Sequence, residues 1–250
     1  MENIYADIAK RSEGTIMIGV VGPVRTGKST FIKRFMDLLV IPNIQNAYSR
    51  ERTKDELPQS GSGKTITTTE PKFIPNEPVE ISVGENAKMN VKMIDCVGYI
   101  VPSAFGYIED EAPRMVKTPW EEKAIPFKDA AEIGTGKVIK EHSTIGLVVT
   151  CDGSFSDIPR SEYEEAESRV IEELKEIKKP FVVLLNCVNP FGETALKIKN
   201  ESETKHNVPV MCVNCAELDS SDITGIIEKI LFEFPINEIS VKLPDWVDVL

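Results

Sequence analysis

The feature that most constrains this chain is a glycine-containing segment, residues 22–29, which reads Gly-Pro-Val-Arg-Thr-Gly-Lys-Ser and fits the pattern G-x-x-x-x-G-K-[ST]. An apolar run at residues 16–21 precedes it and has the character of a buried strand. The stretch from Lys28 to about Leu39 follows, with apolar residues spaced for one buried helix face. A strand, a glycine-rich turn and a helix N-terminus together predict a phosphate-binding loop, because main-chain N–H groups and the helix end both attract anions.

The residues of this loop have individual expected roles. Lys28 can reach the β- and γ-phosphates of a nucleotide, and Ser29 can ligate Mg²⁺. The sequence therefore predicts a catalytic lysine and a metal-ligating serine. The residues expected to surround the phosphates are Pro23, Val24, Arg25, Thr26, Gly27, Lys28, Ser29 and Thr30.

Strand-like and helix-like stretches alternate along the rest of the chain. Strands are predicted at residues 90–95, 143–150, 180–187 and 208–213, and helices at about 128–141, 160–178, 193–206 and 220–234. This order predicts an α/β fold with a mostly parallel central sheet and helices on both faces. A ligand is then expected at the carboxyl ends of the strands.

Two segments interrupt this alternation, and a third lies at the C-terminus. Residues 41–66 are polar, and residues 98–127 contain four prolines, so both are expected to be long loops beside the site. Residues 238–250 resume a strand-like alternation and end abruptly on Val249-Leu250. We therefore expect a nucleotide-binding domain over residues 1–237, followed by the start of a linker or further domain that continues beyond this chain.

A second acidic motif follows the predicted strand at residues 90–95. The segment Asp95-Cys96-Val97-Gly98 matches D-x-x-G, in which the aspartate serves the metal and the glycine amide can meet the γ-phosphate. Asp95 is thus a predicted catalytic and metal-site residue, and Gly98 a predicted nucleotide contact. The alternative for Asp95 is a turn-capping role.

Three consecutive threonines, residues 67–69, precede Glu70-Pro71 between these two motifs. In Ras-like proteins a threonine from this interval closes over Mg²⁺ and the γ-phosphate. Thr68 and Thr69 are predicted to be catalytic, with Thr69 also a metal ligand. An ordinary β-strand is the alternative, since threonine favours strands.

The predicted base-binding loop departs from the Ras-like pattern. Ras-like GTPases read guanine with N-K-x-D, whereas residues 186–189 here are Asn-Cys-Val-Asn. A neutral amide at Asn189 cannot supply the charge-assisted pair of hydrogen bonds that an aspartate gives guanine. Guanine selectivity should be lost or much reduced. The residues expected to lie near the base are Asn186, Cys187, Asn189 and, after the next strand, Cys215.

The residue after D-x-x-G also differs from the Ras-like pattern. It is Tyr99, where Ras has the glutamine that orients the attacking water. Hydrolysis should therefore be slow or rely on another group. Nearby candidates are Arg25, Lys64 and the threonines.

Composition excludes several other classes of protein. The net charge of −11 argues against nucleic-acid binding, because no compensating cluster of lysine and arginine is present. Among the five cysteines, Cys212 and Cys215 have C-x-x-C spacing, but no second cysteine or histidine pair completes a zinc site, so these two are expected to be buried free thiols at a strand end. The odd number of cysteines and the absence of a signal peptide favour a reducing, cytosolic compartment. No apolar run approaches the roughly 18 residues of a membrane span, so only peripheral membrane contact is expected.

Taken together, these motifs resemble the stage IV sporulation protein A family, the spore-coat morphogenetic ATPases of endospore-forming bacteria. The resemblance covers essentially the whole chain, and the stretches that carry it include residues 22–30, 55–60, 63–65, 68–73, 95–99, 141–146 and 170–175. It implies a Ras-like P-loop NTPase fold of the translation-factor type that uses ATP in place of GTP. The family's P-loop lysine corresponds to Lys28, its second acid to Asp95, and its paired sensor threonines to Thr68 and Thr69.

The resemblance also implies a biological role. Members of the family hydrolyse ATP to drive self-assembly into a static polymer, the basement layer of the spore coat. That layer lies in the mother-cell cytoplasm on the outer forespore membrane, where a short amphipathic peptide anchors it and other coat proteins join it. Two alternatives stay open from the residues: a regulatory GTPase of the Ras-like class, and a structural assembly module that binds nucleotide without turnover.

Overall fold

The computed structural model describes residues 15–58, 70–83, 87–109 and 111–233. Ten strands lie within these ranges: β1 (Thr15–Val21), β2 (Lys72–Val83), β3 (Ala87–Asp95), β4 (Ile108–Glu109), β5 (Ala112–Pro113), β6 (Met115–Thr118), β7 (Glu121–Pro126), β8 (Ile145–Cys151), β9 (Phe181–Asn186) and β10 (Val210–Val213). The α-helices there are α1 (Lys28–Phe35), α2 (Ala47–Asp55), α3 (Phe127–Lys137), α4 (Arg160–Glu176), α5 (Glu193–His206) and α6 (Ser220–Phe232).

Six of the strands form one central sheet in the order β10-β9-β8-β1-β3-β2. All neighbours in it run parallel except β2 and β3, which pair antiparallel. Val20 is in register with both Asp95 and Leu147, and Cys151 is in register with Asn186. The carboxyl ends of β1, β3, β8 and β9 therefore meet at one edge. This strand order, with a single antiparallel edge strand, confirms the predicted Ras-like α/β fold.

The sheet has a hydrophobic core on each face, which explains why its central strands are almost entirely apolar. On one face Ile16, Ile18 and Val20 pack in a cluster with residues of α1 and α6. On the other face Val21 and Val148 pack in a cluster with residues of α4. Helices thus cover both sides, as the alternating sequence pattern predicts.

Some boundaries differ from those predicted. The helix expected from Lys28 to Leu39 is α-helical only to Phe35 and continues as a π-helical turn over Met36–Val40. A second π-helical turn, Val138–His142, follows α3. Met36 and Val40 are still fully buried, so the wider turn keeps the apolar face in the core.

The two stretches expected to be long loops contain regular structure. Helix α2 lies in the first, and the Asn46 side chain caps it by accepting hydrogen bonds from the N–H groups of Tyr48 (2.9 Å) and Ser49 (3.1 Å). The second contains two small hairpins, β4–β5 and β6–β7. The prediction of structureless insertions was wrong for these parts. Residues 59–66 and the tail at 238–250 lie outside the described residues.

In the sequence of α4, apolar residues recur at three- and four-residue spacing with glutamate and lysine between them, which predicts one buried stripe and one solvated acidic face. The structure departs from this pattern in two places. Of the stripe, Tyr163, Ala166, Val170 and Leu174 are buried, but Ile177 lies beyond the helix end and is 38% exposed. On the acidic side, Glu167 is only 2% exposed. The prediction that the acidic side chains of this helix are solvated was therefore wrong for the Glu167 carboxylate.

The buried Glu167 is held by partners from three elements. Arg160 donates to its Oε2, as does the Thr150 hydroxyl at 2.6 Å, and the Ser202 hydroxyl donates to its Oε1 at 3.1 Å. Burial opposes ionisation, but these hydrogen bonds and the Arg160 charge hold the pKa of the Glu167 carboxyl below its ordinary value. The ion pair itself lies within α4, and the hydrogen bonds from Thr150 and Ser202 link Glu167 to β8 and α5.

Replacing Glu167 with Gln is expected to lower the free energy of unfolding by about 3 kcal/mol at pH 7, because the Arg160 charge loses its buried partner. A carboxyl with a depressed pKa stabilises the fold above its unfolded-state pKa and ceases to do so as the pH falls through the folded-state value. The difference between parent and variant should therefore shrink below pH 4.5, the ordinary value for this group. Urea unfolding at several pH values measures it. Glu164→Gln, at an exposed position of the same helix, is the control. An equal loss of unfolding free energy in both variants would contradict a stabilising role for the buried pair of Arg160 and Glu167.

The prediction of two buried free thiols at a strand end is confirmed for Cys215, but the predicted burial of Cys212 was wrong. All five are free thiols; Cys212 is partly exposed and the other four are buried. Within the described residues, no group of three or more histidine, cysteine, aspartate or glutamate side chains could hold a metal ion. Among the helices of those same residues, none has the length and apolar character needed to cross a membrane.

Candidate functional site

The phosphate-binding loop connects β1 to α1 at the carboxyl edge of the sheet. Gly27 has a φ of 95°, a left-handed conformation, and a Cβ atom there would lie 2.3 Å from the Asn186 side chain. The Thr26 hydroxyl donates to the Pro23 carbonyl at 3.0 Å and closes the loop on itself. The loop is thus a compact turn that only glycine can complete at position 27.

Lys28 lies at the centre of this loop and is only 5% exposed. Its ammonium donates to the carbonyls of Pro23 (2.6 Å) and Gly22 (3.4 Å). Burial lowers the pKa of Lys28, and the nearby charge of Asp95 opposes that shift. A positive charge held inside this loop, at the N-terminus of α1, is suited to binding an anion such as a phosphate.

Ser29 and Asp95 form the polar pair beside Lys28. The Ser29 hydroxyl donates to Asp95 Oδ2 at 2.8 Å. Burial raises the pKa of the Asp95 carboxyl despite this bond and the Lys28 charge. Its other oxygen, Oδ1, is buried and has no hydrogen-bond partner among the described residues.

This pair fits Mg²⁺. A hydroxyl and a carboxylate with a free oxygen are hard oxygen ligands, and Mg²⁺ is usually bound by one or two carboxylates together with substrate phosphates and water. An unpartnered carboxylate oxygen is costly to bury, and a cation would remove that cost. The residues that would hold the metal are therefore Ser29 and Asp95.

The D-x-x-G segment is joined to the phosphate loop through its main chain. The N–H of Tyr99 donates to the Gly22 carbonyl (3.2 Å), and the N–H of Val24 donates to the Tyr99 carbonyl (2.9 Å). Gly98 has a φ of 92°, and a Cβ atom there would lie 2.1 Å from the Gly22 oxygen and 2.6 Å from Lys28 Nζ. The close approach of Gly98 to Lys28 therefore requires glycine.

The Tyr99 side chain leads away from this loop into α4. Its ring is buried, its hydroxyl donates to Glu173 at 2.7 Å, and the Arg169 guanidinium lies 4.3 Å from the ring centroid. Burial and the Glu173 carboxylate raise the pKa of the Tyr99 hydroxyl. Arg169 also pairs with Glu132 of α3 at 2.9 Å. Tyr99 is thus a packing residue whose hydroxyl is engaged by Glu173.

Replacing Tyr99 with Phe is expected to leave nucleotide affinity and turnover within about twofold of the parent, because the main-chain bonds to Gly22 and Val24 do not involve the hydroxyl. Stability should fall by about 1 kcal/mol through loss of the bond to Glu173. Steady-state phosphate release and thermal unfolding measure the two effects. Tyr107→Phe, which removes a hydroxyl that donates to the Pro102 carbonyl at 3.1 Å, is the control; a tenfold loss of turnover in Tyr99→Phe alone would make the Tyr99 hydroxyl catalytic.

Asn186 connects the predicted base loop to the phosphate loop. Its Nδ2 donates to the Thr26 carbonyl (3.0 Å), and its Oδ1 accepts from the Cys215 N–H (3.0 Å). The side chains of Cys187 and Cys215 are fully buried, so a nucleotide could meet these two residues only through their main chain. Asn189 is exposed, and its Oδ1 accepts from the Phe191 N–H at 3.2 Å.

Most of the predicted site residues are thus gathered at one edge of the sheet, and their roles toward a nucleotide stay predictions. Thr68 and Thr69 lie outside the described residues, as does Lys64. The sequence analysis predicted no site role for Arg169 and Glu173, which contact the Tyr99 side chain. They are separated from it by about 70 positions, so no local pattern could have linked them.

Comparison with known proteins gives the family of this chain. The model of the family described as "Stage IV sporulation protein A, ATPase domain" matches residues 1–235. Curated proteins named stage IV sporulation protein A are 54% identical in Clostridioides difficile (strain 630) and 52% identical in both Bacillus anthracis and Bacillus subtilis (strain 168). Each match covers 99% of this chain and 50% of the relative, so the chain spans about half the length of these proteins.

Solved structures give more distant likenesses. A crystal structure of an SsGBP mutation variant matches with a TM-score of 0.48 at 13% identity. The match covers 91% of this chain and 59% of the SsGBP chain. A second match, with a TM-score of 0.45 at 12% identity, is the cytosolic domain of the T. maritima FeoB iron transporter in its GMPPNP form. This match covers 94% of this chain and 70% of the FeoB chain. The fold is assigned from the strand order of the sheet. The family is assigned from the relatives that are 52% and 54% identical. The chain belongs to the stage IV sporulation protein A family and matches the model of its ATPase domain.

Proposed function

We propose that this domain couples Mg²⁺-dependent hydrolysis of ATP to self-assembly of a structural polymer, the basement layer of the bacterial spore coat. The observation that carries the enzymatic part is the Ser29–Asp95 pair beside the buried Lys28, with one Asp95 oxygen left without a partner among the described residues. Membership of the ATPase-domain family supports ATP as the substrate. The assembly part rests on the family resemblance.

The residues of the loop have separable tasks in this proposal. Lys28 exchanges its bonds with the Pro23 and Gly22 carbonyls for phosphate oxygens, and the main-chain N–H groups of the loop bind the same anion. Ser29 and Asp95 would hold a Mg²⁺ ion, which when bound would supply positive charge against the charge that develops on the phosphates during transfer. Gly98 lies next to Lys28, and its N–H can donate to the γ-phosphate.

The attacking water needs a group other than the Tyr99 side chain, whose hydroxyl donates to Glu173. The candidates are Arg25 in the loop, Lys64, and the predicted threonines Thr68 and Thr69. Changing both threonines to alanine should keep ATP bound but stop hydrolysis and assembly. Sedimentation with ATP present tests this in the 250-residue chain and in a full-length relative that carries the same two changes.

The partners proposed for the assembled protein come from the family resemblance. They are further copies of itself, a short amphipathic membrane-anchoring peptide and other spore-coat proteins. The proposed location is the mother-cell cytoplasm at the outer forespore membrane, with only peripheral contact with lipid. The net charge of −11 supports the expectation that nucleic acid is not a partner.

The decisive experiment mixes the purified protein separately with ATP and with GTP, with and without Mg²⁺, and follows phosphate release and light scattering together. Release with Mg²⁺-ATP accompanied by a rise in scattering supports the proposal. Release without scattering in this chain, but with scattering in a full-length relative, would assign assembly to the half of that relative that this chain does not match. Release with GTP alone would favour a regulatory GTPase.

A further inference from the structure

The loop that follows β9 is fixed relative to the phosphate-binding loop. Asn186 at its start bonds to both the Thr26 carbonyl and the Cys215 N–H. The Val188 N–H donates to the Ser154 hydroxyl at 2.9 Å, which ties this loop to the one after β8. A side chain three residues beyond Asn186 is thus held in a defined position at the same edge of the sheet.

Asn189 is that side chain, and its orientation is set by chemistry. The group that it contacts is the Phe191 main-chain N–H, which can only donate, so the contacting atom must be the carbonyl oxygen Oδ1. The turn is closed further by the Gly192 N–H, which donates to the Asn189 main-chain carbonyl at 3.1 Å. With Oδ1 engaged, Asn189 offers its Nδ2 amide, a donor only, which has no acceptor among the described residues.

In the loop after β10, two main-chain N–H groups are already hydrogen-bonded within the protein. The Cys215 N–H is accepted by Asn186 Oδ1, and the Ala216 N–H is accepted by Asn214 Oδ1 at 3.1 Å. Beside the base loop, Val188 and Phe191 are 57% and 89% exposed. They provide apolar surface but no polar group. The Nδ2 amide of Asn189 is therefore the side-chain donor that the base loop, residues 186–189, presents to solvent.

Adenine and guanine differ in what they show to such a donor. N1 of adenine is an acceptor, whereas N1 of guanine carries a hydrogen and is a donor. An amide N–H meets the first with a hydrogen bond and the second with two opposed donors. We propose that Asn189 is a specificity-determining residue, whose Nδ2 donates to N1 of adenine and disfavours guanine. This rests on the proposed function in one respect, that the bound nucleotide is ATP.

The test uses competition binding of ATP, GTP and 1-deaza-ATP, which carries C–H in place of N1, to the 250-residue chain and two variants. Asn189→Asp keeps Oδ1 for the turn and exchanges the Nδ2 donor for a charged acceptor. The ratio of ATP to GTP affinity should fall by at least about tenfold in this variant. The parent should bind 1-deaza-ATP about fivefold or more weakly than ATP, and Asn189→Ala should bind both equally.

Asn200→Asp, an identical change at an exposed position of α5, is the matched control and should leave all three affinities unchanged. Equal binding of ATP and 1-deaza-ATP by the parent would overturn the inference, even if neither variant folds. So would an unchanged ATP to GTP ratio in a folded Asn189→Asp variant. In both cases phosphate release by the parent could still support the proposed ATPase. A parent that binds neither triphosphate would instead refute the proposed function, and this inference with it.

Discussion

Replacing Lys28 with Met is expected to lower the affinity for ATP by at least about hundredfold and to abolish nucleotide-dependent assembly with it. The ammonium is the charged donor enclosed by the phosphate-binding loop, where its partners are the Pro23 and Gly22 carbonyls. Its loss removes the charge-assisted hydrogen bonds to the β- and γ-phosphates. Methionine keeps most of the apolar stem, so the buried space stays filled. Isothermal titration with Mg²⁺-ATP measures the effect.

The control for this prediction is Lys33→Met, which removes the same charge from an exposed position on the same helix. It should change ATP affinity by less than about twofold, because exposed charges are screened by solvent. Thermal unfolding of Lys28→Met shows whether the variant is folded. If a folded Lys28→Met bound ATP as tightly as Lys33→Met, the assignment of Lys28 to the phosphates would be wrong.

Replacing Asp95 with Asn is expected to reduce phosphate release by about hundredfold while ATP affinity changes by less than tenfold. The amide keeps the shape and can still accept from Ser29, but it lacks the charge that holds the metal. Stimulation of turnover by Mg²⁺ should shrink in parallel. Single-turnover phosphate release over a Mg²⁺ titration separates this effect from binding. Asp37→Asn, an exposed change on the first π-helical turn, is the control.

The same substitution should act on stability in the opposite direction. Because the pKa of Asp95 is raised in the folded protein, its ionised form is disfavoured there, and stability falls as pH rises above the unfolded-state value. The neutral amide avoids this, so Asp95→Asn without nucleotide should melt at a higher temperature than the parent at pH 7. A variant that melted lower, or hydrolysed ATP as fast as the parent, would argue that Asp95 is a turn cap.

The parts of the fold predicted from sequence are those whose signals are local. The glycine-rich turn, the apolar run before it and the helix after it lie within about 25 residues, and each carries its own pattern. Asp95 and Asn186 could also be placed, because both end buried strands whose carboxyl ends a parallel sheet brings together.

Strand β2 could not be predicted in the same way. It contains Pro75 and Pro78, and prolines argue against a central strand. It occurs here as the edge strand of the sheet, paired on one side only, with a register shift between Ile74 and Val79. An edge position tolerates the missing N–H groups, and that position is a property of the whole sheet.

Helix α2 and Glu167 were missed for different reasons. The helix has a single buried residue, Thr53, so it lacks the apolar stripe that marks most helices, although Asn46 is a cap signal that could have been used. Glu167 resembles its exposed neighbours in sequence, and its burial depends on Arg160, Thr150 and Ser202 meeting around it. Thr68, Thr69 and the choice of base stay predictions.

The contact between Gly98 and the phosphate-binding loop limits how this sequence can vary. Any side chain at position 98 would meet both the Gly22 carbonyl and the Lys28 ammonium, so even alanine should be rejected in a selection for nucleotide binding. By contrast, a Cβ atom at Gly136 or Gly225 would meet nothing within 4 Å. A saturation library should therefore return glycine alone at position 98 and many residues at the other two. Sequence drift can reshape the helices of this domain far more freely than the junction of its two phosphate motifs.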